Sequence, residues 1–213
     1  MRKMPEQPNT LAPSNLLPCL PSTPSRRVAR WVSRAASPPI LAAGGTVMTA
    51  VQISEGAAWL WATFTIALSI LVPSLFIVML MKRGKITDFD VYLREQRYLP
   101  YLISVSCSSL SWLVLTLARA PHIFIIVTGA AAGQSILMFL VNLKWKISVH
   151  ASGTACFAVL IWQLFGLPGA GFLLAIPLVA WSRVRLGRHT VGQVIAGSTL
   201  GAVMLFTIFK IWA

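Results

Sequence analysis

Two of the three histidines in the chain stand beside clustered cations. His150 follows Lys146, and His189 follows the arginine-rich stretch 183–188. A neutral imidazole can attack phosphorus and form a phosphohistidine, while a second, protonated imidazole can donate a proton to the leaving oxygen. Lysine and arginine would hold the phosphoryl oxygens and stabilise the charge spread over them. These residue types predict phosphoryl transfer that needs no metal or other cofactor.

Signals for other chemistry are weak. No HExxH or CxxC pattern occurs, and Asp and Glu together number 5, so we find no metal-ligand spacing. The three cysteines, Cys19, Cys107 and Cys156, are odd in number and two lie in apolar runs, which excludes a disulfide scaffold. His122 is predicted on the opposite membrane face, as an interfacial cap on a helix, and we assign it no chemistry.

Composition restricts the class of protein that can position these residues. Of the 213 residues, 56% are hydrophobic and 11% are charged, and the mean hydropathy is +0.75. A soluble domain carries about 25% charged residues. A water-soluble monomer could not bury so much apolar side chain, and a disordered chain would be far less hydrophobic. The composition predicts an all-α integral membrane protein with one helix bundle, with the bilayer and not nucleic acid as its partner.

Apolar runs without Asp, Glu, Lys or Arg mark the expected spans. A helix needs about 20 residues to cross a bilayer. The run 151–182 is too long for one span, and the turn signals at 166–169 divide it into two. About seven transmembrane helices follow, in a domain covering 35–213; the other runs are 35–54, 56–81, 98–118, 120–143 and 190–209.

The positive charges predict an orientation. Of the 18 Lys and Arg residues, all but Arg119 and Lys210 fall on the N-terminal tail and on the loops of one face. An excess of Lys and Arg marks the cytoplasmic side. A phosphate site would also gather cations on one face, but the tail by itself carries enough of them to keep the assignment. We expect an integral protein of a bacterial inner membrane, with an organellar membrane as the alternative because the tail resembles a transit peptide.

The first 34 residues differ from the rest. They are rich in proline and basic residues, so we expect a disordered cytoplasmic tail. Within it, the stretch 26–34 interleaves arginines with Val28, Trp31 and Val32. This stretch could lie as a basic helix on an anionic lipid surface, or it could simply flank the first span.

The order of the site residues resembles that of the type 2 phosphatidic acid phosphatase superfamily. The stretch from Ser182 to Gln193, S-R-V-R-L-G-R-H-T-V-G-Q, resembles the third signature of the family, S-R-x5-H-x3-D. The stretch 147–150, I-S-V-H, resembles the second, P-S-G-H. The segment 85–97 followed by Tyr98-Leu99-Pro100 is similar to the first, a lysine followed by Arg-Pro. The likeness covers roughly residues 57–209 and implies a six-helix phosphatase-like core.

The resemblance implies a lipid phosphatase with a phosphohistidine intermediate, acting on an isoprenyl diphosphate or a phosphatidate. His189 would be the nucleophile and His150 the general acid, and Gln193 would orient His189. The implied phosphate-binding residues are cations and one hydroxyl: Lys85, Arg94, Arg97, Lys146, Ser148 and Arg183.

Several positions depart from the family pattern. Gln193 stands where the family has Asp; its oxygen can still fix the imidazole tautomer, but it brings no charge to stabilise an imidazolium. The spacing from Lys85 to Arg97 is longer than in the family, and the acids of that loop, Asp88, Asp90 and Glu95, could supply the missing carboxylate. The alternative is a non-catalytic membrane subunit that keeps the fold and an anion pocket.

Overall fold

The computed structural model describes residues 23–212, and within that range all regular secondary structure is helical, without a strand. Two 3-10 segments, Arg94–Arg97 and Leu167–Leu174, each lead directly into a longer α-helix. The eight helices are α1 Pro24–Ala35, α2 Pro38–Ile53, α3 Gly56–Lys82, α4 Tyr98–Leu117, α5 His122–Lys144, α6 Val149–Phe165, α7 Ala175–Arg185 and α8 Val191–Trp212.

Helices α2 to α8 correspond to the seven apolar runs of the sequence. Five of the helical segments are long and apolar enough to cross a membrane: α3, α5, α8 and the continuous stretches Arg94–Leu117 and Leu167–Arg185. Helices α2 and α6 are apolar but shorter, with 16 and 17 residues. The prediction of an all-α polytopic membrane protein is confirmed.

The long run 151–182 breaks where its Pro–Gly cluster predicts. Gly166 has φ +64°, in the left-handed region that favours glycine, and it ends α6. The following 3-10 segment packs back onto α6, where the backbone of Gly169 lies against the Ile161 carbonyl with no room for a Cβ atom. Helix α6 begins at Val149 and α7 ends at Arg185, so both reach further toward the basic face than the apolar run itself.

Helix α3 contains one wide turn. Residues Ala67–Leu71 are π-helical, and the N–H of Val72 bonds to the Ala67 carbonyl five residues earlier. Pro73 follows directly and has no N–H to continue the regular ladder. Such single π-turns occur often at functional sites, and here Ser69 and Pro73 line the central cavity.

Residues 24–34 of the expected disordered tail form α1, in agreement with the alternative of a basic helix over 26–34; residues 1–22 lie outside the described range. Ala29 and Ser33 face inward and pack against α7, which gives this stretch a surface to bury. Trp31 on the outer side is 72% exposed. Helix α1 therefore presents apolar and basic faces beside its docked face, and its contact with anionic lipid stays a prediction.

Helices α6 and α8 approach each other through glycines. A Cβ atom added to Gly197 would lie 2.7 Å from the carbonyl oxygen of Ser148, and Gly201 meets the Ser152 carbonyl even more closely. The Cys156 thiol also donates to the Gly201 carbonyl, at 3.4 Å. Small residues allow helix backbones to pack closely in membranes. This contact brings the start of α6 next to the start of α8.

Candidate active site

The turn between α7 and α8 positions Arg183 and His189 together. Gly187 has φ +68° and ends α7 in the left-handed region. The N–H of Arg188 then donates to the Arg183 carbonyl at 3.0 Å, so the chain folds back over the last turn of the helix. His189 follows at once, and α8 begins two residues later. Gly187 within the third motif is therefore the residue that allows this turn.

Gln193 fixes the proton position on His189. Its Oε1 atom accepts the backbone N–H of Thr190 at 3.2 Å and lies 3.1 Å from His189 Nδ1. Because the N–H of Thr190 can only donate, the atom it meets is the amide oxygen, and His189 Nδ1 must then donate to the same oxygen. The lone pair of the ring is left on Nε2, which is the atom that a nucleophilic histidine requires.

Gln193 has a second function at this helix start. The Thr190 hydroxyl accepts the backbone N–H of Gln193 at 3.3 Å, while the Gln193 side chain reaches back to Thr190. This reciprocal pair is a capping box, and the T-x-x-Q pattern is visible in the sequence. A glutamine at position 193 therefore both caps α8 and orients His189.

The pKa of His189 is lowered to about 3. Burial is the main cause, and the nearby cations Arg97, Arg183 and Lys146 add to it, while the bond to Gln193 acts in the opposite direction. His189 is therefore neutral near pH 7, in the form that can attack phosphorus.

His150 is held at the start of α6. Ser148 is the N-cap, and its fully buried hydroxyl accepts the N–H of Ala151 at 3.3 Å. The N–H of Ser148 donates to the Gln193 carbonyl at 3.4 Å, which ties the second motif to the third. The Ser148 side chain is not among the residues that line the cavity, so its geometry is that of a cap.

One cavity of about 390 Å³ collects the chemistry-bearing residues. His150, His189, Arg97 and Arg183 line it, together with Asp90. All four of the first group are buried, and Arg183 is only 2% exposed. The cavity also reaches far between the helices, where its walls are mostly apolar. The cavity thus brings both histidines together with Arg183 and Arg97.

Arg97 adds charge to this end of the cavity, and Lys146 lies beside it without lining the cavity. Arg97 donates from Nε to the Val91 carbonyl at 2.8 Å and from Nη1 to the Ile147 carbonyl at 3.1 Å. Lys146 lies with Nζ 3.8 Å from the centre of the Tyr92 ring. Burial, followed by repulsion from the neighbouring arginines, lowers the pKa of Lys146 to about 8. Cations that repel one another in a buried place indicate a site for an anion.

Two residues of the expected clamp lie elsewhere. The Lys85 side chain is exposed and outside the cavity. The backbone N–H of Lys85 donates to the Leu80 carbonyl at 2.9 Å, which places the residue directly at the end of α3. Arg94 donates from Nη1 to the Leu143 carbonyl at 2.8 Å and lies 3.8 Å from Glu95. Arg94 therefore fastens the loop to the end of α5. The expectation that Lys85 and Arg94 close the clamp is not supported by these positions.

Asp90 does not lie behind His189, where the three acids of its loop were considered as substitutes for the missing carboxylate. It accepts a hydrogen bond from Arg183 Nη1 at 2.9 Å and lies 3.7 Å from His150 Nε2. The other two acids of the loop pair with arginines of their own, and Gln193 alone supplies the oxygen at His189 Nδ1. Opposite charge was the only signal in the sequence for this pairing.

Ser33 was missed altogether. Its hydroxyl accepts a hydrogen bond from Arg183 Nη1 at 2.6 Å, across 150 positions of sequence. Arg185 reaches the same helix, with Nη2 3.0 Å from the Ser25 hydroxyl, and Arg188 lies 3.6 Å from Asp88. Of the three arginines in the motif, only Arg183 lines the cavity.

Two buried nitrogen atoms of the side chains gathered here have no hydrogen-bond partner within the described part of the chain: Arg183 Nε and His150 Nε2. Unsatisfied buried polar groups are rare and costly, so each needs an explanation. Both groups can donate to the oxygens of an anion. No three His, Cys, Asp or Glu side chains of residues 23–212 cluster as metal ligands.

Comparison with known proteins gives one family. Neither the curated proteins nor the solved structures contain a match to the chain. The family model described as the PAP2 superfamily matches residues 102–213, which run from α4 through the second and third motifs. The loop that carries Asp90 lies outside this match. Members of the family are generally phosphatases. Because the match covers more than half of the sequence, the chain belongs to the PAP2 superfamily.

Proposed function

We propose that the protein is a membrane lipid phosphatase that hydrolyses a phosphate monoester or diphosphate of a lipid. The observation that carries the proposal is the shape of the cavity, because one continuous space joins a cationic end to an apolar interior. Lining residues on α6 run from Val149 to Leu160, which is about 16 Å along the helix at 1.5 Å per residue. A charged head with an apolar chain fits such a space.

The first chemical step would form a phosphohistidine. Arg183 and Arg97 hold the phosphoryl oxygens, and Lys146 adds positive charge nearby. His189 Nε2 attacks phosphorus while the bond to the leaving oxygen breaks. His150, which takes up a proton as the anionic substrate binds beside it, donates that proton to the leaving oxygen. The dephosphorylated lipid leaves with the proton. The positive charge that develops on the His189 ring is met by the amide dipole of Gln193 and not by a carboxylate.

The second step would return the enzyme to its starting state. His150, now neutral, accepts a proton from a water molecule as the water oxygen attacks phosphorus. The bond from phosphorus to His189 Nε2 breaks, and inorganic phosphate leaves. His189 regains its lone pair and His150 its proton, so both residues are ready for the next substrate.

A non-catalytic anion-binding subunit is the second candidate. The ion pair between Asp90 and Arg183 favours this candidate, because the Asp90 carboxylate already pairs with the guanidinium that would bind the substrate phosphate. The amide at position 193 favours it as well, since it gives the nucleophile less electrostatic help.

One assay separates the two candidates. The purified full chain is incubated in detergent with an isoprenyl diphosphate and with a phosphatidate, and the release of inorganic phosphate is measured. We expect release from at least one of them, no release with His189→Ala, and parental release with His122→Ala, the exposed histidine that begins α5. An acid-labile, alkali-stable phosphate label should form on the parent and not on His189→Ala. If neither lipid releases phosphate although the protein binds methyl phosphate, the non-catalytic candidate is correct.

We also propose that the site faces the cytoplasm, in a bacterial inner membrane, because nearly all cations lie on its face. Lys85 and Arg119 are exposed residues predicted on opposite sides. In a cysteine-free background, Lys85→Cys should react with an impermeant maleimide only in inverted vesicles, and Arg119→Cys only in right-side-out vesicles. The reverse pattern would overturn the orientation.

A further inference from the structure

The segment from Asp88 to Tyr92 lies over the proposed phosphate site and contacts cations both in the site and beside it. Asp90 bonds to Arg183, and the Val91 carbonyl accepts from Arg97. The Asp88 carboxylate lies 3.6 Å from Arg188 Nη1, and the Tyr92 ring lies under Lys146. We name these five residues the covering segment.

The position of the covering segment is held by packing. Val91 has φ +45°, a conformation that is strained for a β-branched residue. It is nevertheless 5% exposed and packs in a cluster with Leu80 and Ile86. A strained backbone persists only where its surroundings fix it. The side chain that precedes Val91 is therefore held in the site and does not hang freely from a surface loop.

Asp90 is an anion in this place. Burial acts to raise the pKa of its carboxyl group, but His150 and the Arg183 guanidinium outweigh burial and leave the pKa below its ordinary value. One carboxylate oxygen bonds to Arg183, and the other lies 3.7 Å from His150. The proposed mechanism gives these same two partners to the phosphoryl oxygens and the leaving oxygen. The Asp90 carboxylate, with its single negative charge, thus occupies the place that the mechanism gives to a bound phosphate.

The bilayer makes a resident anion useful. Phosphodiester headgroups surround the protein at high local concentration, and each carries one negative charge on its phosphate. Against such a group the tethered Asp90 has equal charge and a higher effective concentration, so the diester gains little by displacing it. A phosphate monoester or diphosphate carries at least one more negative charge than a diester, and Arg97 and Lys146 can pair with that additional charge.

We infer that Asp90 is a specificity-determining residue that sets a charge threshold, admitting phosphate groups with two or more negative charges and excluding singly charged phosphodiesters. This inference rests on the proposed phosphate site, and it goes further by assigning the discrimination to one side chain. The substrate class it selects is that of terminal phosphates, and the ligand it rejects is the ordinary membrane phospholipid.

A pair of small ligands tests the threshold directly. Methyl phosphate is largely a dianion at pH 7.5, and dimethyl phosphate is a monoanion of similar size. Binding of each is measured by calorimetry on the full chain in an uncharged detergent, in a His189→Ala background so that turnover does not interfere. With Asp90 present, methyl phosphate should bind at least about 10-fold more tightly, the effect of one hydrogen bond to a charged group.

Asp90→Asn removes the competing carboxylate, so it should raise the affinity for dimethyl phosphate and for methyl phosphate alike, by about 10-fold. Glu95→Gln is the matched control, because Glu95 pairs with Arg94 outside the cavity, and it should keep the parental affinity for dimethyl phosphate. Asp90→Glu retains the charge and should also retain discrimination, which separates loss of charge from loss of folding.

The outcomes are distinct. An unchanged affinity for dimethyl phosphate in Asp90→Asn, or equal binding of the two ligands with Asp90 present, overturns the charge threshold and leaves the phosphatase proposal standing. Failure of every variant to bind either ligand overturns both, because the phosphate site itself would then be absent. A rise in the affinity for dimethyl phosphate in Asp90→Asn, with no such rise in Glu95→Gln and Asp90→Glu, establishes the role of Asp90.

Discussion

The helices that carry the histidines and the loop that covers them differ in how they build the site. His150, Arg183 and His189 stand at helix ends whose caps, glycine turn and backbone contacts fix them, and all lie within the family match. The loop at 83–97 lies outside that match, and it contributes a carboxylate, a carbonyl and a ring in place of the expected lysine. The helices thus hold groups suited to the chemistry, while the loop holds groups suited to choosing the ligand.

Arg183→Ala should cause the largest loss among the arginines of the third motif. Removing one positioned charged donor costs about 100- to 1,000-fold in rate. Arg185→Ala and Arg188→Ala should keep nearly parental rates, since neither side chain lines the cavity. Phosphate release at saturating substrate measures the effect. Equal and mild losses at all three positions would mean that the helix end serves topology and not catalysis.

Changes at Gln193 test whether an amide can replace the family's acid. Gln193→Ala should slow the reaction by about 100-fold because the tautomer of His189 is no longer fixed. It should also lower stability by about 1 kcal/mol through loss of the capping box, which a melting curve would show. Gln193→Asp should raise the rate by about 10-fold, equivalent to about 1.4 kcal/mol of added stabilisation of the charged ring. Parental activity in Gln193→Ala would contradict the orienting role.

Lys146 predicts a pH dependence of anion binding. Its pKa of about 8 means that the side chain is charged below that pH and loses its charge as the pH rises through it. Affinity for methyl phosphate should therefore fall by about 10-fold between pH 7 and pH 9, as one charge-assisted contact is lost. Lys146→Gln should bind weakly at both values without this fall. A fall that persists in Lys146→Gln would assign the titration to another group.

Ser33→Ala tests whether α1 supports the site. The hydroxyl accepts one bond from Arg183, but Asp90 still holds the same Nη1 atom. Loss of one such bond should reduce turnover by about 2- to 10-fold. Ser25→Ala is the matched control on α1, because it contacts Arg185 and not Arg183. Similar losses of turnover in both variants would mean that α1 supports the site through its packing on α7 and not through the bond from Arg183 to Ser33.

Lys85→Ala should have the smallest effect. The side chain is exposed and outside the cavity, so activity should stay within a factor of about two of the parent, as for most surface substitutions. Arg97→Ala is the contrasting variant from the same loop and should reduce activity strongly. A large loss in Lys85→Ala would restore the sequence-based clamp and would show that the loop moves on substrate binding.

The sequence predicts the helices well because a bilayer fixes their length and polarity. Runs such as 98–118 and 120–143 agree with α4 and α5 to within a few residues. It also predicts the meeting of His150 with His189, since both stand at helix ends on one face. It does not predict where Asp90 points or that Ser33 reaches Arg183, because these contacts join irregular or distant segments. No local period or spacing encodes such contacts.

The glycine contact between α6 and α8 sets the width of the site from a distance. Gly197 lies one helical turn beyond Gln193, and its backbone touches the Ser148 carbonyl, two residues before His150. A larger side chain at position 197 would act as a wedge between the two helices and spread the histidines apart. A single uncharged substitution would thereby adapt the proposed site to a bulkier headgroup during evolution, leaving every charged residue and both histidines in place.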